Sequence, residues 1–320
     1  MDARWKVDGE YAILSQTFLT STKMKATFQI DGIRYDLDNP IDISIPLQFN
    51  GQQPNAYGVE PATSKPVKAG DLVGDTRLGG SCNFEQYTFI PHCNVTHTEC
   101  VGHITNERIS ILYCLQDVLI PAVLISVSPE WTGGSDDLVI TRESIEAAFK
   151  SESGAVATGL LQSGLETNVQ PPATPTTPSF GHPSSGRRGV HGSDIALIIR
   201  TLPNNEDKLT NEYGDVIPPY FSTEAMRYIV ECGFKHLLVD LPSIDRIFDE
   251  GKLANHRMFW NVEERSFEIN KNTRLNSTIT ELIYVPNNVE DGEYLLNLQI
   301  APFQSDAAPS RPLLLLHSSD

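Results

Sequence analysis

The opening third of the chain alternates apolar and polar residues in the period-two rhythm of half-buried strands. Residues 25–30 and 33–37 flank Asp31-Gly32, a pair that supplies the positive φ of a tight turn, and together they predict a hairpin. Residues 41–47 alternate cleanly and predict a further strand. Residues 50–80 are rich in Gly, Pro and Asn and predict a long ordered loop, a feature that in a compact domain often belongs to a binding site. Residues 84–90 predict the strand leading out of it. The apolar run 111–127 is interrupted by Gln116, Asp117 and Pro121. It predicts two buried strands around a break, not a membrane span.

Helical patterns come later. Residues 141–149 predict a helix with Thr141 as N-cap and Ser144 where a capping-box glutamate would sit. Residues 220–233 predict a second helix with a Ser/Thr cap and Gly233 as its left-handed stop. Between them, 193–201 is a continuous apolar run that predicts a central strand, and 236–245 predict a strand ending in a polar turn. The stretch 151–188 is dominated by Ser, Gly, Pro and Thr. It cannot bury enough apolar surface to order itself and predicts a flexible insertion. With 320 residues, 40 % of them hydrophobic, the chain can bury a sizeable core. One domain over 1–320, interrupted by that insertion, is the expected organisation.

Charge narrows the partners. A net charge of −17 argues against nucleic acid or an anionic membrane, since phosphate binding needs clustered Lys and Arg. Residues 1–6 lack the apolar core of a signal peptide. The five cysteines are odd in number and scattered, which suits reduced thiols, so a cytoplasmic setting is expected.

Candidate chemistry concentrates in residues 89–103, where three histidines, two cysteines and a glutamate fall together. In an extended segment side chains alternate between faces. Cys93, His97, Glu99 and His103 then share one face, and His92 and Cys100 point the other way. Thiolate, imidazole and carboxylate are ligands for zinc and its divalent neighbours. The row is therefore a candidate metal half-site.

The same window resembles the HxGTHxDxPxH signature of the kynurenine formamidase-like, or cyclase, family of metal-dependent hydrolases. Aligned on Thr96-His97, Glu99 takes the Asp position and His103 the last His. Val95 stands for Gly, Val101 for Pro, and Cys93 falls where the first His belongs, with His92 one residue early. Parity favours Cys93 as the ligand, whereas a β-bulge would bring His92 to the metal face. Residues 193–201 are similar to the family's "GDxxLxRT" strand. Residues 220–245, closing on Asp240-Leu241-Pro242-Ser243-Ile244-Asp245, are similar to its "GvxxxGiDxxSxD" block. The tail through Pro309-Ser310-Arg311 is similar to its closing "aPxR" turn.

The resemblance implies an α/β fold of the swivelling β/β/α type, with a mixed sheet and flanking helices, assembled as a homodimer or larger. It implies one or two divalent ions, zinc or manganese, held by Cys93 or His92 together with His97, Glu99, His103, His256 and Glu281. The ion would lower the pKa of a water that attacks an amide carbonyl. His103 is then placed to bind a second ion or pass a proton to the leaving amine, and Glu281 completes the catalytic pair. The implied activity is that of an arylformamidase of tryptophan catabolism acting on N-formylkynurenine, with cyclic amides such as isatin as the alternative small-molecule substrates. A thiolate ligand would make the ion a weaker Lewis acid. Two other readings are a family member that only binds a ligand or partner, and a cysteine-nucleophile hydrolase using Cys93 or Cys100.

Overall fold

A nine-stranded mixed sheet gathers the alternating and continuous apolar runs into one layer. Along the chain its strands are β1 (Ile41–Asp42), β2 (His97–Glu99), β3 (Leu119–Val127), β4 (Ala196–Thr201), β5 (His236–Val239), β6 (Thr278–Glu281), β7 (Gly292–Asn297), β8 (Ala307–Pro309) and β9 (Leu313–Leu315). Their spatial order is β8-β2-β6-β5-β4-β3-β7-β9-β1. The four central strands β6, β5, β4 and β3 are mutually parallel, and antiparallel strands extend the sheet on both sides. The computed structural model describes residues 6–7, 10–11, 26–30, 32–134, 136–150, 194–214 and 216–318. The insertion expected at 151–188 lies outside them.

Both faces of the parallel centre are buried, which is why its strands read as unbroken apolar runs. On one face Val123, Ile125, Leu197, Ile199, Leu237, Val239 and Ile279 pack with Phe149, Met226, Ile229, Phe259 and Trp260. These last come from three helices, Arg142–Lys150, Thr223–Glu231 and Ala254–Trp260. On the other face Leu124, Ala196, Ile198 and Leu238 pack with Ile43, Val285 and Leu314. The α/β architecture with a mixed sheet and flanking helices is thus the one expected.

Local expectations fare unevenly. The hairpin forms between Thr27–Ile30 and Ile33–Asp36, with Gly32 at φ 85°. The Thr141 hydroxyl accepts from Ser144 N–H at 3.1 Å, and Ser222 caps the next helix by accepting from Ala225 N–H at 3.1 Å. Gly233 follows at φ 83°. The run 111–127 is not two strands. Ser110 caps a single helical turn, Ile111–Cys114, and one nine-residue strand follows. Pro121 does not break that strand because it pairs only with β7, and pairing with β4 starts at Ala122. A missing N–H is tolerated where one side of a strand is unpaired. Residues 50–80 hold several two- to four-residue strands, among them Asn55–Ala56 and Thr63–Pro66. No helix among the described residues is long and apolar enough to cross a membrane, and the five cysteines are unpaired thiols.

Candidate metal centre

The segment 89–103 is not one extended strand. Pro91 fits the first position of a short helix, Pro91–Asn94, because its ring presets φ and its missing N–H would be unpaired there anyway. Asn94 Oδ1 accepts from Ile90 N–H at 2.9 Å and closes the turn. Only His97–Glu99 is strand, and Val101–His103 is a single 3₁₀ turn. The face assignment by parity is therefore corrected: this helical turn brings His92 into the cluster with no bulge. Gly102 keeps the next turn tight, since a Cβ there would lie 2.1 Å from the Ile109 carbonyl oxygen. Val95 replaces the family's glycine without strain, being extended at φ −145°.

Sheet register supplies the rest. β2 pairs antiparallel with β6 so that His97 lies opposite Glu281, and Glu99 shares the His97 face two residues on. His97 Nδ1 lies 3.0 Å from the Val95 carbonyl, to which it donates. Nε2 then carries a lone pair, 3.6 Å from Glu281 Oε2. Glu281 Oε1 accepts from Ile244 N–H at 2.9 Å. Leu282, next along the chain, is left-handed at φ 56°, a strained backbone of the kind that clusters at functional sites.

His256 arrives on the helix Ala254–Trp260. The two oxygens of Asp245 accept from the Asn255 and His256 N–H groups at 2.8 and 3.2 Å, capping that helix. Asp245 Oδ2 also lies 2.6 Å from His256 Nδ1, which turns Nε2 to within 3.0 Å of Glu99 Oε1. His256 is 2 % exposed, so a surface placement is ruled out. Its neighbours Phe259 and Trp260 are core residues, and Trp260 Nε1–H donates to Ser277 O at 2.9 Å.

The other oxygen of Glu99 faces outward. Oε2 is 3.3 Å from His92 Nε2 and 3.7 Å from His103 Nδ1. Asp306 Oδ2 faces the same two nitrogens at 3.2 and 3.4 Å. Three donor groups thus converge: His92, His97 and Glu99; Glu99, His103 and His256; and His92, His103 and Asp306. Cys93 is in none of them. It is buried beside Glu281, and burial together with that carboxylate pushes its thiol up to about 11, the wrong direction for a thiolate ligand or nucleophile. Cys100 packs with Ile111, Cys114 and Ala308 away from the cluster.

The donor set fits a divalent ion. His92 Nε2, His97 Nε2 and Glu99 Oε2 are buried atoms with no hydrogen-bond partner, and such atoms are costly unless something satisfies them. Ligand atoms arranged tetrahedrally about 2.1 Å from one ion lie about 3.4 Å apart, close to the spacings here. Protonation mirrors the same demand. Burial drives His97 down to about 3 and, with the Glu99 charge, raises Glu281 to about 8. Burial opposes charge on His92, but Asp306 and Glu99 outweigh it and push the ring up to about 10. Burial likewise opposes charge on His256, and Asp245 and Glu99 reverse it. His92, His256 and Glu281 therefore hold protons where a cation would sit, while His97 keeps its Nε2 lone pair free. Asp306 carried no spacing signal in the sequence, because it lies in an ordinary polar turn more than 200 residues from the signature.

The chain matches the family model described as "Putative cyclase" over residues 35–246; His256, Glu281 and Asp306 lie beyond the matched part. It is 28 % identical over 119 residues to the kynurenine formamidase of Bacillus anthracis and, at the same identity, to that of Bacillus mycoides. Each match covers 37 % of this chain and 48 % of the relative, so the chain spans about half the length of the curated relatives it matches. Among solved structures it is similar to isatin hydrolase A from Labrenzia aggregata, with a TM-score of 0.53 and 13 % identity over 88 % of this chain and 94 % of that one. It is also similar to a predicted metal-dependent hydrolase from Bacillus stearothermophilus, with a TM-score of 0.50 and 13 % identity over 87 % and 98 %. At these identities the likeness is one of fold.

Proposed function

This chain belongs to the cyclase family, and on that premise we propose that it is a metal-dependent amidohydrolase, an arylformamidase acting on N-formylkynurenine or a close aryl formamide. The observation that carries the reading is the fully buried Glu99, whose two oxygens face different imidazoles while Nε2 of neighbouring His97 keeps an unpartnered lone pair. His97, Glu99, His256 and Glu281 are the inner ligands on this reading, with His92 and His103 at the rim.

A divalent ion held there supplies a Lewis acid that lowers the pKa of water and polarises an amide carbonyl. The protein's own groups do the remaining work. Asp245 fixes the orientation of His256, and the Ile244 N–H fixes Glu281. His103, 27 % exposed on its side chain, stands at the opening, where it can hand a proton to the departing amine. Tyr57 and Phe248 meet edge to face at 5.8 Å and border a groove of about 490 Å³. Burial and the Glu281 charge push the Tyr57 hydroxyl up to about 12, and an aromatic pair bordering a groove suits an aryl substrate.

Elemental analysis of wild type and His97→Ala tests the proposal, followed by assays on N-formylkynurenine and a panel of cyclic amides. Stoichiometric zinc or manganese, lost in the variant, and formamide hydrolysis are the expected results. Preference for isatin would move the substrate to a cyclic amide. Folded protein without metal, indifferent to chelators, would sink the hydrolase reading in favour of a binding protein.

A further inference from the structure

Arg257 is buried and Arg274 half-buried, and among the described residues neither pairs with a carboxylate. That is unusual in a chain with 41 acidic residues against 24 basic ones. Arg200, Lys208, Lys235 and Arg246 are likewise buried or half-buried, and each meets a carboxylate oxygen at 2.8 Å or less. Arg257 and Arg274 line one cavity of about 510 Å³, where the helices Thr223–Glu231 and Ala254–Trp260 meet. From this pair we infer that the cavity binds a small organic carboxylate with an apolar body. It is separate from the metal centre, none of whose residues lines it.

Backbone carbonyls hold the two heads without cancelling their charge. Arg257 Nε donates to Lys252 O at 3.0 Å, and its Nη1 to Glu263 O at 3.2 Å and to Ser266 O. Arg274 Nη1 donates to Phe259 O at 2.7 Å and Nη2 to Phe234 O. Arg257 Nη2 and Arg274 Nε donate to no protein group among the described residues, so each head keeps donors in hand. Phe267 and Phe259 lie 5.3 and 4.8 Å from the two guanidinium carbons. Heads fixed in this way need little further ordering when a ligand binds. Burial pushes the Arg274 guanidinium down to about 10, as it does a charge without a counterion. A planar fork of N–H donors matches a carboxylate. Val230, Ala254, Met258 and Val262 give the cavity an apolar wall, which suits the body of an organic acid and not a bare phosphate. Its volume falls within the range of about 300–1,000 Å³ common to small-molecule sites. Glu264 also lines the cavity, but its side chain is 87 % exposed and lies 4.0 Å from Arg265, so it leaves the arginines unpaired.

Benzoate is the probe, titrated calorimetrically at fixed low ionic strength into wild type, His97→Ala, Arg274→Met and Glu264→Lys, with far-UV circular dichroism to establish folding. One benzoate per chain should bind His97→Ala as it binds wild type. Arg274→Met should bind at least about tenfold more weakly, the cost typical of losing a hydrogen bond to a charged group. Glu264→Lys keeps both arginines and adds positive charge at the rim, so it should bind about two- to fivefold more tightly. That variant decides the matter if Arg274→Met does not fold, and unchanged affinity in it would then overturn the inference. Absence of binding to wild type, or equal affinity in folded Arg274→Met, would also overturn it. Binding lost in His97→Ala would assign benzoate to the metal centre instead. Inorganic phosphate binding where benzoate does not would overturn the carboxylate assignment. None of these outcomes depends on metal content, so the hydrolase reading stands or falls separately.

Discussion

His97 and Glu281 sit directly opposite each other on antiparallel strands, with Nε2 3.6 Å from Oε2 and nothing donating to the nitrogen. A buried imidazole and carboxylate held that close by sheet register are suited to a cation between them, a place the proton on Glu281 otherwise takes. His97→Ala should therefore abolish stoichiometric metal and lower amide hydrolysis by at least about 10²-fold, more than the 10–100-fold cost typical of removing a ligand's supporting partner. Metal analysis alongside steady-state kinetics checks this.

Asp245 stands behind His256, orienting that ring and capping its helix. Asp245→Asn should weaken metal affinity by about 10–100-fold while retaining the fold. A chelator competition titration measures it, and unchanged affinity would remove Asp245 from the supporting role.

Away from the cluster, Lys208 Nζ donates to Asp240 Oδ2 at 2.7 Å, and the Asp240 side chain is wholly buried. Lys208→Met leaves that carboxylate without its cation. A destabilisation of about 3–5 kcal/mol is expected at neutral pH. It should shrink on acidification, because burial already pushes the Asp240 carboxyl upward. Denaturant unfolding reports both effects.

Acid should act on His236. Burial holds this ring below its ordinary pKa of 6.5 despite its contact with Asp117. The folded state therefore keeps it neutral while the unfolded chain takes up a proton. Its contribution is intact above 6.5 and declines as pH falls from there toward the folded value, by up to about 1.4 kcal/mol per pH unit. Wild type should lose stability over that window faster than His236→Gln, as urea unfolding at a series of pH values would show.

The sheet was legible because buried parallel strands must be apolar throughout, and residues 193–201 and 236–239 say so in their composition. Glu99 and Glu281 could be named from motif order, but not the cross-strand register that brings Glu281 to His97. His92 was harder. Parity counts only inside a strand, and Pro91 had turned the chain into a helix one residue earlier. Val95 and Val101 looked like defects in the signature, yet an extended backbone and a buried turn accommodate both. Asp306 was out of reach, since a carboxylate in a polar turn acquires meaning only from what lies across from it.

The turn Ser243-Ile244-Asp245 holds Glu281 through its backbone and His256 through its side chain. An ion held by those two side chains would couple its occupancy to the order of this turn. An ion that binds only the assembled cluster stabilises the folded chain by about 2.7 kcal/mol at a hundred times its Kd. Stripping the metal should lower the melting temperature, with the turn at 243–245 and the helix it caps the first to gain amide exchange.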